Sequence, residues 1–296
     1  MNMTQRTRNT IVGYLFLTPS LIGYVVFLAF PIVFSLIISF TNWDLISGLK
    51  NIKFVGFDNF IKMYRDVNVT KALKNNIIFA VTTVPMTIFI ALFFAVLLNN
   101  KIYCKRMFRL FYFIPYITSI TAVSVVWLAM FNPSSGPINT ILRSIGVAKP
   151  PAWISSPHTA LLSIIIVSIW MGIGFCMVLY LAALQNIPVS YYEAAELDGT
   201  TELGKFIHIT LPLLSSTTFM LFITRLITSF EVFGIISVMT GGGPVKSTTV
   251  LVYEIYIQSF QYYKFGYASA IAWLLFFIIF TVTVLQWVGQ KKWVHE

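Results

Sequence analysis

Two charged side chains, Arg225 and Glu231, lie well inside an apolar run of the sequence. Charged groups in a membrane-spanning segment are costly, so they generally face a protein interior or a water-filled cavity and mark functional sites. An arginine in such a place favours a carboxylate or phosphate as its ligand. On a helix, Arg225 shares a face with Thr228 and Ser229, whereas Glu231 lies about 120° away, which argues against a direct ion pair. The alternative role for both charges is a structural ion pair or a contact with a partner helix.

The segment TGGGPVKST, residues 240–248, has glycines before a Lys-Ser-Thr triplet, as in a phosphate-binding loop. It departs from that motif because Val245 stands where glycine is required, Pro244 lacks an amide hydrogen and no strand precedes it. We therefore predict a turn here and no ATP site in this chain. The three histidines lack metal-ligand spacing, and no nucleophile, base and orienting group form a recognisable set. The sequence thus predicts no metal, cofactor or catalytic site of its own.

The composition is that of a membrane protein. Hydrophobic residues make up 57% of the chain and charged residues 10%, and the mean hydropathy is +0.82, which excludes a soluble globular chain. The net charge of +10 comes from basic residues in short loops, where lipid headgroups and membrane orientation explain them better than nucleic acid does. Cys104 and Cys176 lie far apart and outside any CxxC pattern, so we expect free thiols.

Several apolar runs are each long enough to cross a bilayer as a helix, so the predicted fold class is an all-α polytopic membrane protein. The six runs cover residues 11–40, 77–98, 110–131, 159–184, 211–239 and 267–288, with a polar external segment at 41–76. No repeat or linker divides them, so residues 1–296 are predicted to form a single transmembrane domain. Both termini then lie on one side, which the positive-inside rule makes cytosolic. The basic residues on that side are Arg6, Arg8, Lys101, Lys105, Arg106, Arg109, Lys205, Lys291 and Lys292.

A polar stretch, residues 193–214, follows the fourth run and reads EAAELDGTTELGKFIHITLPLL. Ser190 precedes Glu193 by three residues, as in a capping box, so a helix of about two turns is predicted to begin just after the serine. Gly199 suits the left-handed conformation that ends a helix. A second short helix is predicted over residues 200–209.

The same stretch carries a spaced motif of Glu-Ala-Ala, three residues, Gly, nine residues, Ile, one residue and Leu-Pro. The residues that meet it without a gap are Glu193, Ala194, Ala195, Gly199, Ile209, Leu211 and Pro212. This pattern resembles the EAA loop in the membrane subunits of ATP-binding-cassette (ABC) importers. The resemblance implies that the loop at 185–210 forms a coupling helix that docks in a cleft of a separate ATPase subunit. Its contact residues would be Glu193, Ala194, Ala195, Asp198 and Gly199.

Other segments are similar to those of the sugar-importing branch of this family, the maltose-type permeases. They are SFTNWD from Ser39, FVGFDNF from Phe54, IPYITS from Ile114, FNPSSGPIN from Phe131 and MTGGGP from Met239. The chain lacks the extra amino-terminal spans and the large periplasmic insertion of the maltose subunit. It is therefore more like the compact six-span subunits for oligosaccharides or glycerol phosphate.

The resemblance to the maltose-type sugar site implies a set of substrate-binding residues, to which the intramembrane Glu231 is added. The set is Tyr116 and Ile120 from IPYITS, Gly172 and Phe175 from WMGIGF, and Arg225, Thr228 and Ser229 from the run before MTGGGP. An aromatic face beside a few hydrogen-bonding groups in a concave site suits a sugar. Gly172 is predicted to leave room for a sugar ring. Arg225 stands where the resembled site has small polar groups, and Ile120 is apolar, so the contacts must differ.

The resemblance implies a non-catalytic permease subunit of an ATP-driven importer, which moves an oligosaccharide or another carbohydrate into the cytoplasm by alternating access. Its partners would be a second permease subunit, an ATPase dimer that uses ATP and magnesium, an extracytoplasmic solute-binding protein, the sugar and membrane lipid, but not nucleic acid. Its place would be a bacterial or archaeal cell membrane. A glycerol-phosphate-type importer is an alternative that also fits Arg225. An ion-coupled carrier or a membrane enzyme is a weaker one, because neither explains the EAA-like motif.

Overall fold

The computed structural model describes residues 5–48, 52–99 and 105–293. These residues are mostly helical, and their β-type pairing is limited to an isolated bridge between Thr41 and Phe54. The α-helices are α1 Gln5–Tyr24, α2 Phe30–Ser39, α3 Asp58–Arg65, α4 Val67–Asn99, α5 Lys105–Ile117, α6 Ile120–Met130, α7 Pro137–Ser144, α8 Ala160–Gln185, α9 Val189–Leu197, α10 Glu202–Lys205, α11 Leu211–Leu213, α12 Ser215–Phe230, α13 Gly234–Met239, α14 Leu251–Tyr256 and α15 Phe265–Trp293. Short π-helical segments cover Val25–Ala29, Phe206–Thr210 and Ile257–Gln261, and a 3₁₀ turn covers Trp153–Ser155.

Four helical segments of the described chain are long and apolar enough to cross a bilayer, and the number rises to six if each of two bent pairs counts as one span. The four are Ile11–Ser39, Val67–Asn99, Ala160–Gln185 and Phe265–Gln290. The bent pairs are Met107–Ile117 with Ile120–Met130, at 100°, and Glu202–Leu213 with Ser215–Phe230, at 61°. The predicted spans over 110–131 and 211–239 are therefore each interrupted by a bend.

Helix α4 contains the predicted second span, residues 77–98, and begins ten residues before it, at Val67. The polar residues that precede position 77 are helical, and their side chains bind the loop at residues 240–250. Asn75 donates to the carbonyl oxygens of Lys246 and Thr249 at 3.2 and 2.8 Å, and Lys71 donates to that of Val245. The loop thus satisfies these polar groups, and the apolar pattern alone underestimated the length of the helix.

The contacts divide the chain into two compact units, and the prediction of a single domain stays a prediction. The first unit contains the residues up to Asp66 and Ile255–Leu274. In it, Trp273 donates its indole N–H to the hydroxyl of Ser35 at 3.2 Å, and Tyr267 donates to the carboxylate of Asp66 at 2.7 Å. These bonds attach the beginning of α15 to α2 and to the end of α3.

The second unit contains Val67–Glu254 and the chain from Leu275 onward, and its centre is the packing of α4 on α8. Ala91 and Ala95 of α4 are fully buried there, and their small side chains let the two helices approach closely. Tyr180 of α8 donates its hydroxyl to that of Thr218 at 2.9 Å, which connects α12 to the same core. On α5, the backbone at Tyr112 packs directly on Gly174 of α8. The four helices form the frame that positions the site.

Candidate functional site

A cavity of about 450 Å³ lies in the second unit. Seven of the eight predicted substrate residues line it, namely Tyr116, Ile120, Gly172, Arg225, Thr228, Ser229 and Glu231. Phe175 is not among the lining residues, but its ring stacks on that of Tyr116 with the centroids 4.8 Å apart. Phe175 therefore supports the aromatic wall of the cavity without forming it.

The bend between α5 and α6 brings one wall of the cavity into place. Pro115 removes a helical amide, and the hydroxyl of Thr118 donates to the carbonyl oxygen of Ile114 at 2.7 Å. The backbone is extended at Ser119, and α6 then leaves at 100° to α5. The bend places residues from both helices on the cavity, among them Tyr116 and Ile120.

A second interruption, after Phe230 of α12, forms another wall. Glu231 follows the last helical residue, and α13 restarts at Gly234. A Cβ at Gly234 would lie 3.0 Å from a methyl group of Ile120, so the glycine lets α13 approach α6 closely. Two interrupted helices therefore meet at one cavity, which a reading of continuous apolar runs could not show.

Several lining residues were missed by sequence reasoning. They are Phe79, Thr83, Thr118, Ser168, Met171 and residues 232–235. Thr83 and Ser168 are polar residues inside apolar runs, and that was the available signal. The hydroxyl of Thr83 donates to the carbonyl oxygen of Phe79 at 2.7 Å, so its oxygen can still accept a hydrogen bond.

Arg225 lies on the cavity wall with its guanidinium beside Gly172. A Cβ at position 172 would lie 2.5 Å from Nη2 and 2.9 Å from Cζ of Arg225, and 3.0 Å from the methyl group of Thr87. The prediction that Gly172 leaves room for a sugar ring is therefore wrong, because the guanidinium fills that space. Sequence spacing could not reveal this, since it does not fix the direction of a long side chain.

The hydroxyls next to Arg225 are held by their own helix. Thr228 donates to the carbonyl oxygen of Arg225 at 3.0 Å, and Ser229 donates to that of Leu226 at 2.6 Å. Their oxygens remain as acceptors for a ligand hydroxyl. Glu231 is exposed and forms no salt bridge with the described residues, in agreement with the helical spacing.

The coupling loop, residues 185–210, begins with α9 rather than with the predicted capping box. Pro188 occupies the N-cap position with an extended backbone and makes no side-chain cap bond. The helix begins at Val189, so Ser190 lies inside its first turn and cannot cap it. The predicted capping box of Ser190 and Glu193 is wrong because proline, with its preset φ, starts the helix two residues sooner.

Gly199 ends α9 as predicted, with φ at +71°. The amide of Thr200 donates to the carbonyl oxygen of Ala195 at 2.9 Å, and the amide of Gly199 donates to that of Glu196 at 3.0 Å. This pair of bonds is a Schellman motif, whose left-handed residue favours glycine. The next helix follows at once, and the hydroxyl of Thr201 caps it by accepting from the amide of Gly204 at 3.2 Å.

Lys205 joins the two short helices of the loop. Its ammonium lies 2.6 Å from a carboxylate oxygen of Glu196 and 2.9 Å from one of Glu202. The hydrogen bond to Glu196, followed by the one to Glu202, raises the pKa of Lys205 above its ordinary value. The ion pairs fix the angle at which α9 and α10 meet.

A groove with a volume of about 620 Å³ lies against this helix pair. Ala194, Ala195 and Asp198 line it, and Glu193 and Gly199 do not. Glu193 is exposed beside it, and Leu197 is 90% exposed on the same helix. Small side chains, a carboxylate and an uncovered leucine on one short helix suit contact with another protein.

The segment at 240–248 forms a turn, as predicted, with Gly241 and Gly242 at positive φ. Cys176 is a buried free thiol, whereas Cys104 lies outside the described residues. In residues 5–48, 52–99 and 105–293, no three potential metal ligands cluster. The cavity and the loop at residues 185–210 are the two sites that the sequence analysis predicted.

Most of the chain matches a known family of transport proteins. The profile of a family described as binding-protein-dependent transport system inner membrane component matches residues 68–294. The chain belongs to this family. It is accordingly a multi-pass membrane protein and a permease subunit of an ABC importer. Membership of this family argues against an ion-coupled carrier.

Individual relatives cover nearly the whole chain. The probable ABC transporter permease protein YurN of Bacillus subtilis is 34% identical over 94% of this chain and 96% of the relative. The lactose transport system permease protein LacF of Rhizobium radiobacter is 34% identical over 95% and 94%. The sn-glycerol-3-phosphate transport system permease protein UgpA of Agrobacterium fabrum is 33% identical over 97% of each.

Among solved structures, this family member shares its fold with a chain of a bacterial alginate ABC transporter in complex with an alginate pentasaccharide-bound periplasmic protein. The TM-score is 0.84 over 99% of this chain and 98% of that chain, at 22% sequence identity. The likeness concerns the fold.

Proposed function

We propose that this chain is one of two permease subunits of an importer that carries a carbohydrate into the cytoplasm. The observation that carries the proposal is the cavity, where the Tyr116 ring lies with the hydroxyl oxygens of Thr228 and Ser229 between two interrupted helices. An aromatic face with a few polar groups suits a sugar. The similarity to the lactose permease LacF supports the same class of substrate.

In this proposal the coupling loop receives the force. A separate ATPase dimer uses ATP and magnesium, and its closure moves the loops of both permease subunits. The cavity then changes from inward facing to outward facing, where an extracytoplasmic solute-binding protein delivers the sugar. Glu193, Ala194, Ala195, Asp198 and Gly199 are the proposed coupling residues, the first by its charge and the last by the turn it permits.

The proposed topology has six spans, with each bent pair counted as one and residues 202–210 of the second pair kept outside the bilayer. Both termini lie in the cytoplasm of a bacterial or archaeal cell. The coupling loop then lies on the side where ATP is available. A reporter enzyme that works only in the cytoplasm should be active when it is fused to the carboxyl terminus. Activity of a reporter that works only outside the cytoplasm, fused at the same place, would contradict this orientation.

The test is ATP hydrolysis by the complex reconstituted in liposomes with its companion permease, ATPase and binding protein. We expect a neutral or acidic oligosaccharide bound to the binding protein to stimulate hydrolysis, and Glu193→Lys to abolish this stimulation. Asp58→Lys makes the same charge change at an exposed residue of α3 and should leave stimulation intact. A complex that assembles and binds the sugar without any stimulation would refute the proposal.

A glycerol-phosphate importer is a second candidate, favoured by the guanidinium of Arg225 on the cavity wall and by the similarity to UgpA. Stimulation of the same complex by sn-glycerol 3-phosphate, and not by any oligosaccharide, would select it.

A further inference from the structure

Arg225 is a cation on the cavity wall whose charge nothing in the described chain neutralises. It forms no salt bridge with the described residues, and its Nε atom is buried without a hydrogen-bond partner among them. A charged group removed from water is costly unless an opposite charge or hydrogen-bond acceptors approach it. Nε therefore has no acceptor in the described chain, and Arg225 itself lines the cavity, where a ligand can approach it.

Glu231, the other charged residue that lines the cavity, does not neutralise Arg225. Glu231 is exposed at the end of α12, so water solvates its carboxylate, whereas part of the Arg225 head group is withdrawn from water. Helical spacing also places the two residues about 120° apart. Arg225 is the only Lys or Arg among the described residues that line the cavity, so an anion entering it has one cation to bind.

The position of the guanidinium is set by Gly172 on the facing helix α8. Because a Cβ at position 172 would lie within 2.9 Å of two guanidinium atoms, any side chain there would push the head group away. The obstacle is the flexible end of a side chain, so an alanine would move Arg225 without separating the helices. Gly172 is thus a positioning residue for Arg225.

The nearby hydroxyls complement this cation. Thr228 and Ser229 direct their protons to carbonyl oxygens of α12 and offer only acceptors to the cavity. The guanidinium, by contrast, has only donors, arranged in a planar fork that matches the two oxygens of a carboxylate, phosphate or sulfonate. A ligand with hydroxyls and one oxyanion would satisfy both kinds of group.

We propose that Arg225, positioned by Gly172, binds an oxyanion on the transported substrate and makes this permease selective for acidic carbohydrates over neutral ones. The inference rests on the proposed function, because it assigns a chemical class to the substrate of the same cavity. A uronate and a sugar phosphate share the recognised chemistry, and the experiment separates them.

The test compares uptake of two matched pairs of probes by the complete reconstituted transporter with its binding protein. One pair is digalacturonate and the neutral galactose disaccharide, and the other is sn-glycerol 3-phosphate and glycerol. We expect wild type to take up the anionic member of one pair at least about tenfold faster than the neutral member. Arg225→Gln should slow uptake of that anion by roughly 10- to 100-fold, the range for loss of a charge-assisted hydrogen bond, and should change neutral uptake by less than about threefold.

Further variants separate recognition from folding. Arg225→Lys keeps the charge without the fork and should give an intermediate selectivity. Gly172→Ala should lower selectivity in the wild-type background and have no further effect in Arg225→Gln. Lys74→Gln removes an exposed positive charge from a different helix, α4. It should leave the ratio of anionic to neutral uptake unchanged. Copurification of all subunits and the basal rate of ATP hydrolysis report assembly.

Equal slowing of anionic and neutral uptake by Arg225→Gln would overturn the inference, and so would a wild-type transporter that carries only the neutral probes. Either result leaves the proposed carbohydrate import standing. Absence of both uptake and ATPase stimulation with all four probes, in an assembled complex, would instead overturn the proposed function.

Discussion

Replacing Gly174 by alanine should destabilise the chain, because the added methyl group would meet backbone. Its Cβ would lie 2.7 Å from the carbonyl carbon of Tyr112 and 2.9 Å from Cα of Phe113, with the carbonyl oxygen of Tyr112 closer still. Real Cβ contacts essentially never fall below 3.0 Å, and a backbone on a packed helix cannot turn aside. Helices α5 and α8 must therefore separate, at a cost of about 1–3 kcal/mol for overpacking.

The assay is the melting of the purified chain in detergent, followed by its tryptophan fluorescence. We expect Gly174→Ala to lower the midpoint by roughly 3–10 °C. Gly13→Ala is the matched control, since a Cβ there has nothing within 4 Å and alanine favours a helix by about 0.5–1 kcal/mol. Gly172→Ala, which meets side-chain atoms only, should melt between these two.

A midpoint for Gly174→Ala within about 1 °C of wild type would refute the reasoning. It would mean that the backbone of α5 does not pack closely on Gly174 of α8. The placement of Tyr116 on the cavity, which depends on this packing, would then lose its support. A loss of stability in Gly13→Ala as large as that in Gly174→Ala would show that any alanine at a helical glycine is harmful in this chain.

Two further predictions concern polar contacts. Asn76 is fully buried, donates to the carbonyl oxygen of Ser229 and accepts from the amide of Leu251. Asn76→Ala should therefore reduce the free energy of unfolding by about 1–3 kcal/mol for each backbone group left unpaired, and lower the same melting midpoint. An unchanged midpoint would contradict this prediction. The pKa of Lys205 is raised above 10.5, so the ammonium stays charged at neutral pH and loses its proton only as pH rises through the raised value. Hydrogen exchange of residues 202–205, corrected for its intrinsic rate, should therefore be constant from about pH 6 to 8 in wild type and faster in Lys205→Met, and a pH-dependent wild type would refute this.

The membrane class and the turn at Gly199 could be predicted from sequence because their signals are local. Gly199 was predicted to be left-handed from its place after a helix, and the second short helix begins beside Thr201 as expected. The capping box failed because two start signals lie two residues apart, and Pro188 prevails over Ser190. Propensity does not resolve helix starts that differ by two residues.

The cavity could be predicted only in part. Seven of its lining residues were named by resemblance and by intramembrane charge, but nine were not, and the arrangement depends on a 100° bend after Ile117 within an apolar run. Hydropathy does not distinguish a continuous apolar helix from a broken one. The role of Gly172 depends on where the head group of Arg225 points, which is set by packing between α8 and α12 and not by spacing along either helix.

The loop at residues 240–250 has a consequence for how the sequence can vary. It is held by side chains of α4, namely Lys71, Asn75 and Asn76, which bind carbonyl oxygens at positions 245, 246 and 249 and the amide at position 251. Every amino acid provides the carbonyl oxygen, and every one except proline provides the amide hydrogen. The side chain of Val245, 76% exposed at the tip, takes no part in this support. The tip can therefore change its side chain through evolution while its path stays constant, so a new surface can arise there without loss of shape.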